Sequence, residues 1–233
     1  MPRWLLLMVL GGLSWAPSAF SALYLDLGWD YRRGDFGTGS QITLQAPWVG
    51  MSRYGSDGWA ASAVIPYFRL DDGQETVSGI GDVFTSVSRM VAWGRWTPVV
   101  GGLVKWPTAN ADTGLGTGAF DATVQLGLGY ALRSDLRLLG QWGHTFAGDS
   151  DQQRYENYAS HGLGVYHQRG AVGWSLWWNQ RDNSIPGGEV ARELGLGVGR
   201  FFAGRWRLQG SLLRGLSDGA ADWSGSAALS WRL

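Results

Sequence analysis

A single lysine, Lys105, stands among eighteen arginines in this 233-residue chain, with Asp82 before it and Asp121 after it. The segment from Pro107 to Gly118 is rich in turn residues and has its midpoint near 113, so a hairpin turning there sets position 105 opposite 121. Two carboxylates around one ammonium group can do two things. They can brace a structure as an ion-pair cluster, or they can form a charged constriction in a pore. Other chemistry is poorly supplied. The three histidines are His144, His161 and His167. Ser160 and His161 are adjacent, which sends their side chains to opposite faces of a strand and precludes a nucleophile–base pair. Asp149 and Asp151 lack the remaining spacing of a calcium loop. The run Gly195-Leu196-Gly197-Val198-Gly199 is not followed by a helix and reads as small residues on a strand. With no cysteine there is no disulfide, no thiolate metal ligand and no thiol nucleophile. Neither a metal nor a cofactor is expected.

The elements that would carry these groups are strands. Helical periodicity is missing, whereas period-2 alternation recurs along the chain, as in Thr123 to Tyr130, Trp206 to Leu212 and Trp223 to Leu233. Cutting at the turn signals yields twelve strands, near 23–33, 41–52, 58–70, 79–92, 96–106, 119–131, 135–147, 157–168, 171–181, 190–202, 205–215 and 221–233. Connections alternate between tight ones, such as Arg169-Gly170 and Ala203-Gly204, and longer polar ones, such as Asp71 to Glu75 and Gly148 to Glu156. Short turns at one end and long loops at the other are the pattern of an outer-membrane barrel, the short ones periplasmic. Glycine is abundant at 37 residues, and charged residues are only 16%, against roughly 25% in an ordinary soluble domain. The longest uninterrupted apolar run after the N-terminus, Trp96 to Val104, is too short for a membrane helix.

The start of the chain reads as a secretory signal peptide, residues 1–21. Met1-Pro2-Arg3 is basic, Trp4 to Leu13 is apolar, and Ala19 and Ser21 fill the small positions before a cut after Ser21. The domains expected are therefore this peptide and a barrel over 22–233. About 212 residues over twelve strands leaves about 18 for each strand and its connection, enough for a tilted membrane strand of roughly 9–11.

Aromatics test the topology. Trp48, Trp59, Trp93, Trp96, Tyr130, Tyr166, Phe202, Trp206 and Trp231 fall near the short turns or the chain end. Tyr31, Tyr67, Trp106, Phe120, Phe146, Tyr158 and Trp178 fall near the long loops. Two aromatic belts around an apolar band mark a membrane barrel. Leu229, Trp231 and Leu233 share one face, similar to the C-terminal strand by which outer-membrane proteins reach the barrel-assembly machinery, although the last residue there is usually Phe. The fold class is all-β: one transmembrane antiparallel barrel of about twelve strands.

Alternation places Asp26, Asp30, Arg32, Asp82, Ser86, Lys105, Asp121, Gln125, Arg137 and Gln141 in the lumen. Ser175, Asn179, Arg181, Arg207, Gln209, Asp222 and Ser226 join them there. Asp82, Lys105, Asp121, Gln125, Arg137 and Arg181 are the candidates for a solute path.

At these same residues the chain resembles a known family. Ser52-Arg53-Tyr54-Gly55, Gly79-Ile80-Gly81-Asp82, Lys105-Trp106-Pro107-Thr108, Gly114 to Gly118 and Asp121 look like the outer-membrane β-barrel family labelled for the meta-pathway of phenol degradation. The resemblance covers roughly 45 to 150. It implies a barrel associated with uptake of small, often aromatic or hydrophobic, compounds; Asp82, Lys105 and Asp121 are its motif residues and carry no assigned role.

The sequence reads as a passive channel for small solutes and not as an enzyme. Its expected surroundings are outer-membrane lipid and lipopolysaccharide. The 19 basic and 19 acidic residues balance, which argues against a nucleic-acid surface. The alternatives are an outer-membrane lipid-modifying enzyme and a purely structural barrel. A phospholipase would need a serine and histidine meeting at the lipid face, and no such motif is present.

Overall fold

The structure is a computed structural model and describes residues 21–36, 39–150 and 153–233. Residues 1–20 of the expected signal peptide lie outside the described residues.

Alternating side chains leave each strand with two unlike faces, and only a closed ring can turn one of them to lipid without leaving an unpaired edge. The chain forms that ring from thirteen strand segments: β1 (Ala22–Gly34), β2 (Ile42–Tyr54), β3 (Trp59–Asp71), β4 (Thr76–Ile80), β5 (Val83–Met90), β6 (Trp96–Trp106), β7 (Asp121–Arg133), β8 (Leu136–Ala147), β9 (Tyr158–Arg169), β10 (Val172–Arg181), β11 (Ala191–Phe202), β12 (Trp206–Gly215) and β13 (Trp223–Arg232). All neighbours are antiparallel, β13 pairs with β1, and β2 pairs with β3. β4 and β5 are two pieces of one stave, so the barrel has twelve, as expected. Eleven of the expected spans agree with the observed strands to within two residues at each end. The exception is the fourth, which breaks at Gly81-Asp82. A Cβ at Gly81 would stand 2.1 Å from the Phe68 ring, so the backbone is drawn against that ring where it leaves the ladder.

The faces follow the alternation. Leu126, Trp174, Leu196 and Leu208 point outward and are half or more exposed, as an outer surface meeting hydrocarbon requires. Gln125, Gln209 and Ser226 line the interior, and Ser175 lies on the inner face beside Gly197. An arginine facing lipid near the midplane costs about 2–4 kcal/mol. Leu126→Arg is therefore expected to impair assembly, while Gln125→Arg at the adjacent inward position is tolerated. Heat-modifiable gel mobility of the two variants checks this, and equal behaviour would mean that the faces are exchanged.

The tight turns at one end use left-handed backbone. Ala203 and Gly204 both have positive φ, 51° and 66°, the geometry of a two-residue hairpin whose twist matches the strands. The outward aromatics form the expected belt at this end: Trp96 packs on Tyr130 with centroids 4.5 Å apart, and Trp206 stacks on Trp231 at 5.7 Å.

Three assignments to the belts are corrected. Trp48, Tyr158 and Tyr166 face the lumen. The Trp48 indole lies across Gly28 of the neighbouring strand, where a Cβ would stand 2.2 Å away, and Tyr166 lies across Gly173 in the same way. Tyr158 is buried opposite Thr145, which is also buried. An inward ring needs a glycine or another small partner on the adjacent strand. That partner is set by register and not by proximity to a turn. Asp222 is corrected too. It sits exposed at the long-loop end, accepting a 3.4 Å hydrogen bond from Gln41, and does not line the lumen.

Candidate functional site

Cross-strand register brings the expected cluster together. Lys105 on β6 stands directly opposite Asp121 on β7 and Phe84 on β5, while Asp82 occupies the break just before β5. Lys105 Nζ lies 3.2 Å from Asp121 Oδ2 and 3.4 Å from Asp82 Oδ2, and all three residues are buried. The ammonium also donates to Thr117 Oγ1. Each carboxylate is held a second time: Ala109 N donates to Asp82 Oδ1 at 3.0 Å, and Gly148 N donates to Asp121 Oδ1 at 3.1 Å.

These bonds hold the β6–β7 connection inward. Thr108 Oγ1 accepts from Val83 N at 2.9 Å and donates to Gly81 O at 3.3 Å. Leu115, at the far side of the same connection, is buried against Ala46 and Phe68, with Leu44, Val77 and Ala109 around it. Ala46 and Phe68 lie on the inner faces of β2 and β3, so the connection reaches across the long-loop end of the lumen. Gly116 packs so closely on Asp82 that a Cβ would stand 2.8 Å from its Oδ1. The cluster is a buried clamp between the barrel wall and an inward-folded loop.

Of the other expected site residues, Gln125 lines the cavity described below. Arg181 closes β10 on the far wall, buried, within electrostatic reach of Tyr158, Glu193 and Arg32. Arg137 lies opposite Tyr166 near the short-turn end. Neither joins the Lys105 cluster.

A cavity of about 120 Å³ occupies the lumen on the side of β1–β3. One part of its lining is apolar and aromatic, with Trp48, Tyr54, Val64, Pro66 and Phe84; another is serine and glutamine, with Ser52, Ser62, Ser86, Gln125 and Gln209. The serines pair across strands: Ser62 Oγ and Ser86 Oγ are 2.7 Å apart, and Ser211 Oγ and Ser226 Oγ are 2.6 Å apart. Toward the short turns the cavity meets Asp26 and Arg207. Ser52 Oγ donates to Asp26 Oδ2 at 2.6 Å, and Arg207 Nη2 donates to Ser230 Oγ at 3.2 Å. The guanidinium lies 5.9 Å from the Tyr24 ring and 5.8 Å from the Tyr54 ring. Trp48 and Tyr54 were not expected in the lumen; the signal was glycine and alanine opposite them, Gly28 and Ala60.

The histidines do not assemble a catalytic pair among the described residues. His144 packs between Trp142 and Phe146, His161 packs on Trp178, and His167 lies 3.5 Å from Asp135. No group of metal-ligating residues occurs among the described residues.

No protein-family model matches the chain, and no curated protein matches it. Solved structures do. The outer-membrane channel of the COG4313 group from Pseudomonas putida F1 superposes with a TM-score of 0.74 at 13% identity, covering 92% of this chain and 96% of that one. The NanC porin gives 0.59 at 14% identity over 90% and 100% of the two chains. The CymD monoaromatic hydrocarbon channel gives 0.53 at 8% identity over 92% and 89%. The chain has the fold of an outer-membrane β-barrel. At these identities the likeness concerns the fold alone, so residue roles rest on the geometry above.

Proposed function

We propose that the chain is a passive outer-membrane channel for small solutes, with aromatic or hydrophobic compounds as the solute class. The observation that carries this reading is the cavity inside the barrel, aromatic on one part of its wall and hydroxyl-lined on another. A flat ring finds the faces of Trp48, Tyr54 and Phe84 there, and a hydroxyl or carboxyl substituent finds serine and glutamine. The family resemblance around Asp82, Lys105 and Asp121 points the same way, and one protein of this fold is described as a monoaromatic hydrocarbon channel. Gln125 lies on the solute path, Arg181 and Arg137 flank it toward opposite ends, and Asp82, Lys105 and Asp121 hold the loop that narrows the entrance. The short-turn end faces the periplasm, residues 1–21 are removed on export, and β13 presents the strand that the barrel-assembly machinery receives.

Single-channel recording in a planar bilayer tests this. The expected result is a small, steady conductance that falls when benzoate or phenol is added, as the solute occupies the cavity. Neither conductance nor uptake of phenol by liposomes containing the barrel would leave a purely structural barrel as the reading.

A further inference from the structure

The charges of this barrel are sorted by end. The long loops carry most of the acids, among them Asp71, Asp72, Glu75, Asp112, Asp149 and Glu156, and these outnumber the arginines at that end, Arg33, Arg69, Arg154, Arg192 and Arg214. The short-turn end is the opposite: Arg53, Arg95, Arg133, Arg169 and Arg205 place an arginine at every turn, with only Asp57 and Asp135 against them. Arg133 is paired with Asp135 at 3.2 Å, and Arg89 lies 5.4 Å from the Trp59 ring. Arg53, Arg169 and Arg200 are different. They are exposed, and no side-chain hydrogen bond or ion pair engages them among the described residues.

Where these three point matters. Arg53 alternates with Val49 and Met51, Arg169 with Leu163 and Val165, and Arg200 with Leu196 and Val198, all outward-facing and exposed. The guanidinium groups therefore leave the lipid-facing surface and not the turn tips. Arg169 and Arg200 both pair with Val172, so they flank one residue of β10 on the same rung. Their Cα atoms stand two strand spacings apart, about 10 Å. They lie at the height of the aromatic belt, beside Phe202. Long arginine stems at that depth bring their heads to the level of lipid phosphates.

We propose that the short-turn rim is a binding girdle for anionic phospholipid of the periplasmic leaflet, with Arg169 and Arg200 as its principal site. The ligand chemistry is a phosphodiester headgroup carrying net negative charge, of the phosphatidylglycerol or cardiolipin type. A guanidinium donates to such a phosphate through two parallel N–H groups. The outward aim of the side chains selects a lipid over a soluble acidic protein, which would meet the turn tips. At the long-loop end the outward arginines have partners or an acid beside them: Arg192 donates to Gln180, Arg214 donates to the Asp222 carbonyl, and Asp71 shares a rung with Arg33.

The inference is independent of the solute and rests on the outer-membrane placement proposed above. Its test is native mass spectrometry of the purified barrel titrated with cardiolipin, phosphatidylethanolamine or lipid A, for the wild type and the R169Q/R200Q and R192Q/R214Q variants. Each basic residue near an anionic surface contributes about fivefold, so with Arg169 and Arg200 together the wild type should prefer cardiolipin over phosphatidylethanolamine on the order of thirty-fold. R169Q/R200Q should lose most of that preference while keeping its heat-modifiable mobility and conductance. R192Q/R214Q, altered at the other rim, should keep it. Equal binding of the two phospholipids by the wild type overturns the proposal, as does an undiminished preference in R169Q/R200Q. A preference for lipid A that is lost only in R192Q/R214Q also overturns it. A barrel that enters neither neutral nor anionic vesicles overturns the placement and the girdle together; one that enters both, without headgroup preference, overturns the girdle alone.

Discussion

Lys105→Met lowers the thermal stability of the barrel strongly, by about 3–5 kcal/mol, the usual result of removing one partner from a buried ion pair. The substitution keeps much of the side-chain volume and removes the positive charge that lies 3.2 and 3.4 Å from two buried carboxylates. Asp82 and Asp121 then oppose each other without the ammonium between them, each still accepting from a main-chain N–H. The β6–β7 connection loses its clamp, so protease cleavage between 107 and 120 should become faster. Adding Asp82→Asn and Asp121→Asn removes the repulsion and should recover much of the loss, since directly coupled residues are not additive. The melting temperatures of the wild type and the two variants measure this, and an unchanged value for Lys105→Met would mean that the cluster bears no load. If the clamp also narrows the solute path, the same variant shifts the reversal potential toward cations, because a positive charge leaves a confined place.

Deleting residues 221–233 abolishes membrane insertion. β13 pairs with β12 on one side and with β1 on the other, from Tyr24↔Arg232 to Arg33↔Trp223. Its loss opens two strand edges in hydrocarbon, where each unsatisfied backbone group costs several kcal/mol and no water can compensate. It also removes Ser230, the hydrogen-bond partner of Arg207, and Trp231, the stacking partner of Trp206. The truncated chain should be absent from the outer-membrane fraction and show no heat-modifiable band. A normal band would mean that twelve staves are not needed to close the ring.

Most of the barrel could be read from local pattern. Alternation such as Gln125, Leu126, Gly127, Leu128 is enforced by geometry within one strand, so it marks both the strand and its faces without knowledge of any neighbour. Turn residues such as Ala203-Gly204 carry their own backbone requirement, which is why strand ends agreed so closely. The pairing of Lys105 with Asp121 was legible for the same reason: the two strands are joined by one loop, and its midpoint sets their register.

What needed the tertiary structure involves residues far apart in sequence or indifferent to either face. Tryptophan and tyrosine suit both a lipid interface and a polar lumen, so nearness to a turn could not separate Trp231 in the belt from Trp48 inside. The decision came from Gly28 on the adjacent strand, which leaves space only on the inner side. The break between β4 and β5 depends on Phe68 and Gly81, and the inward fold of the β6–β7 connection depends on Leu115 finding Ala46 and Phe68 on distant staves. Nothing in the alternation of a strand encodes where a loop will pack. Sequence by itself determined the outward face of the regularly alternating strands and which end of the barrel carries the long loops, because those follow from the period of the strand and the lengths of its connections; closure into a ring decided which aromatics turn inward and what fills the lumen, because only then do the inner faces of remote strands meet.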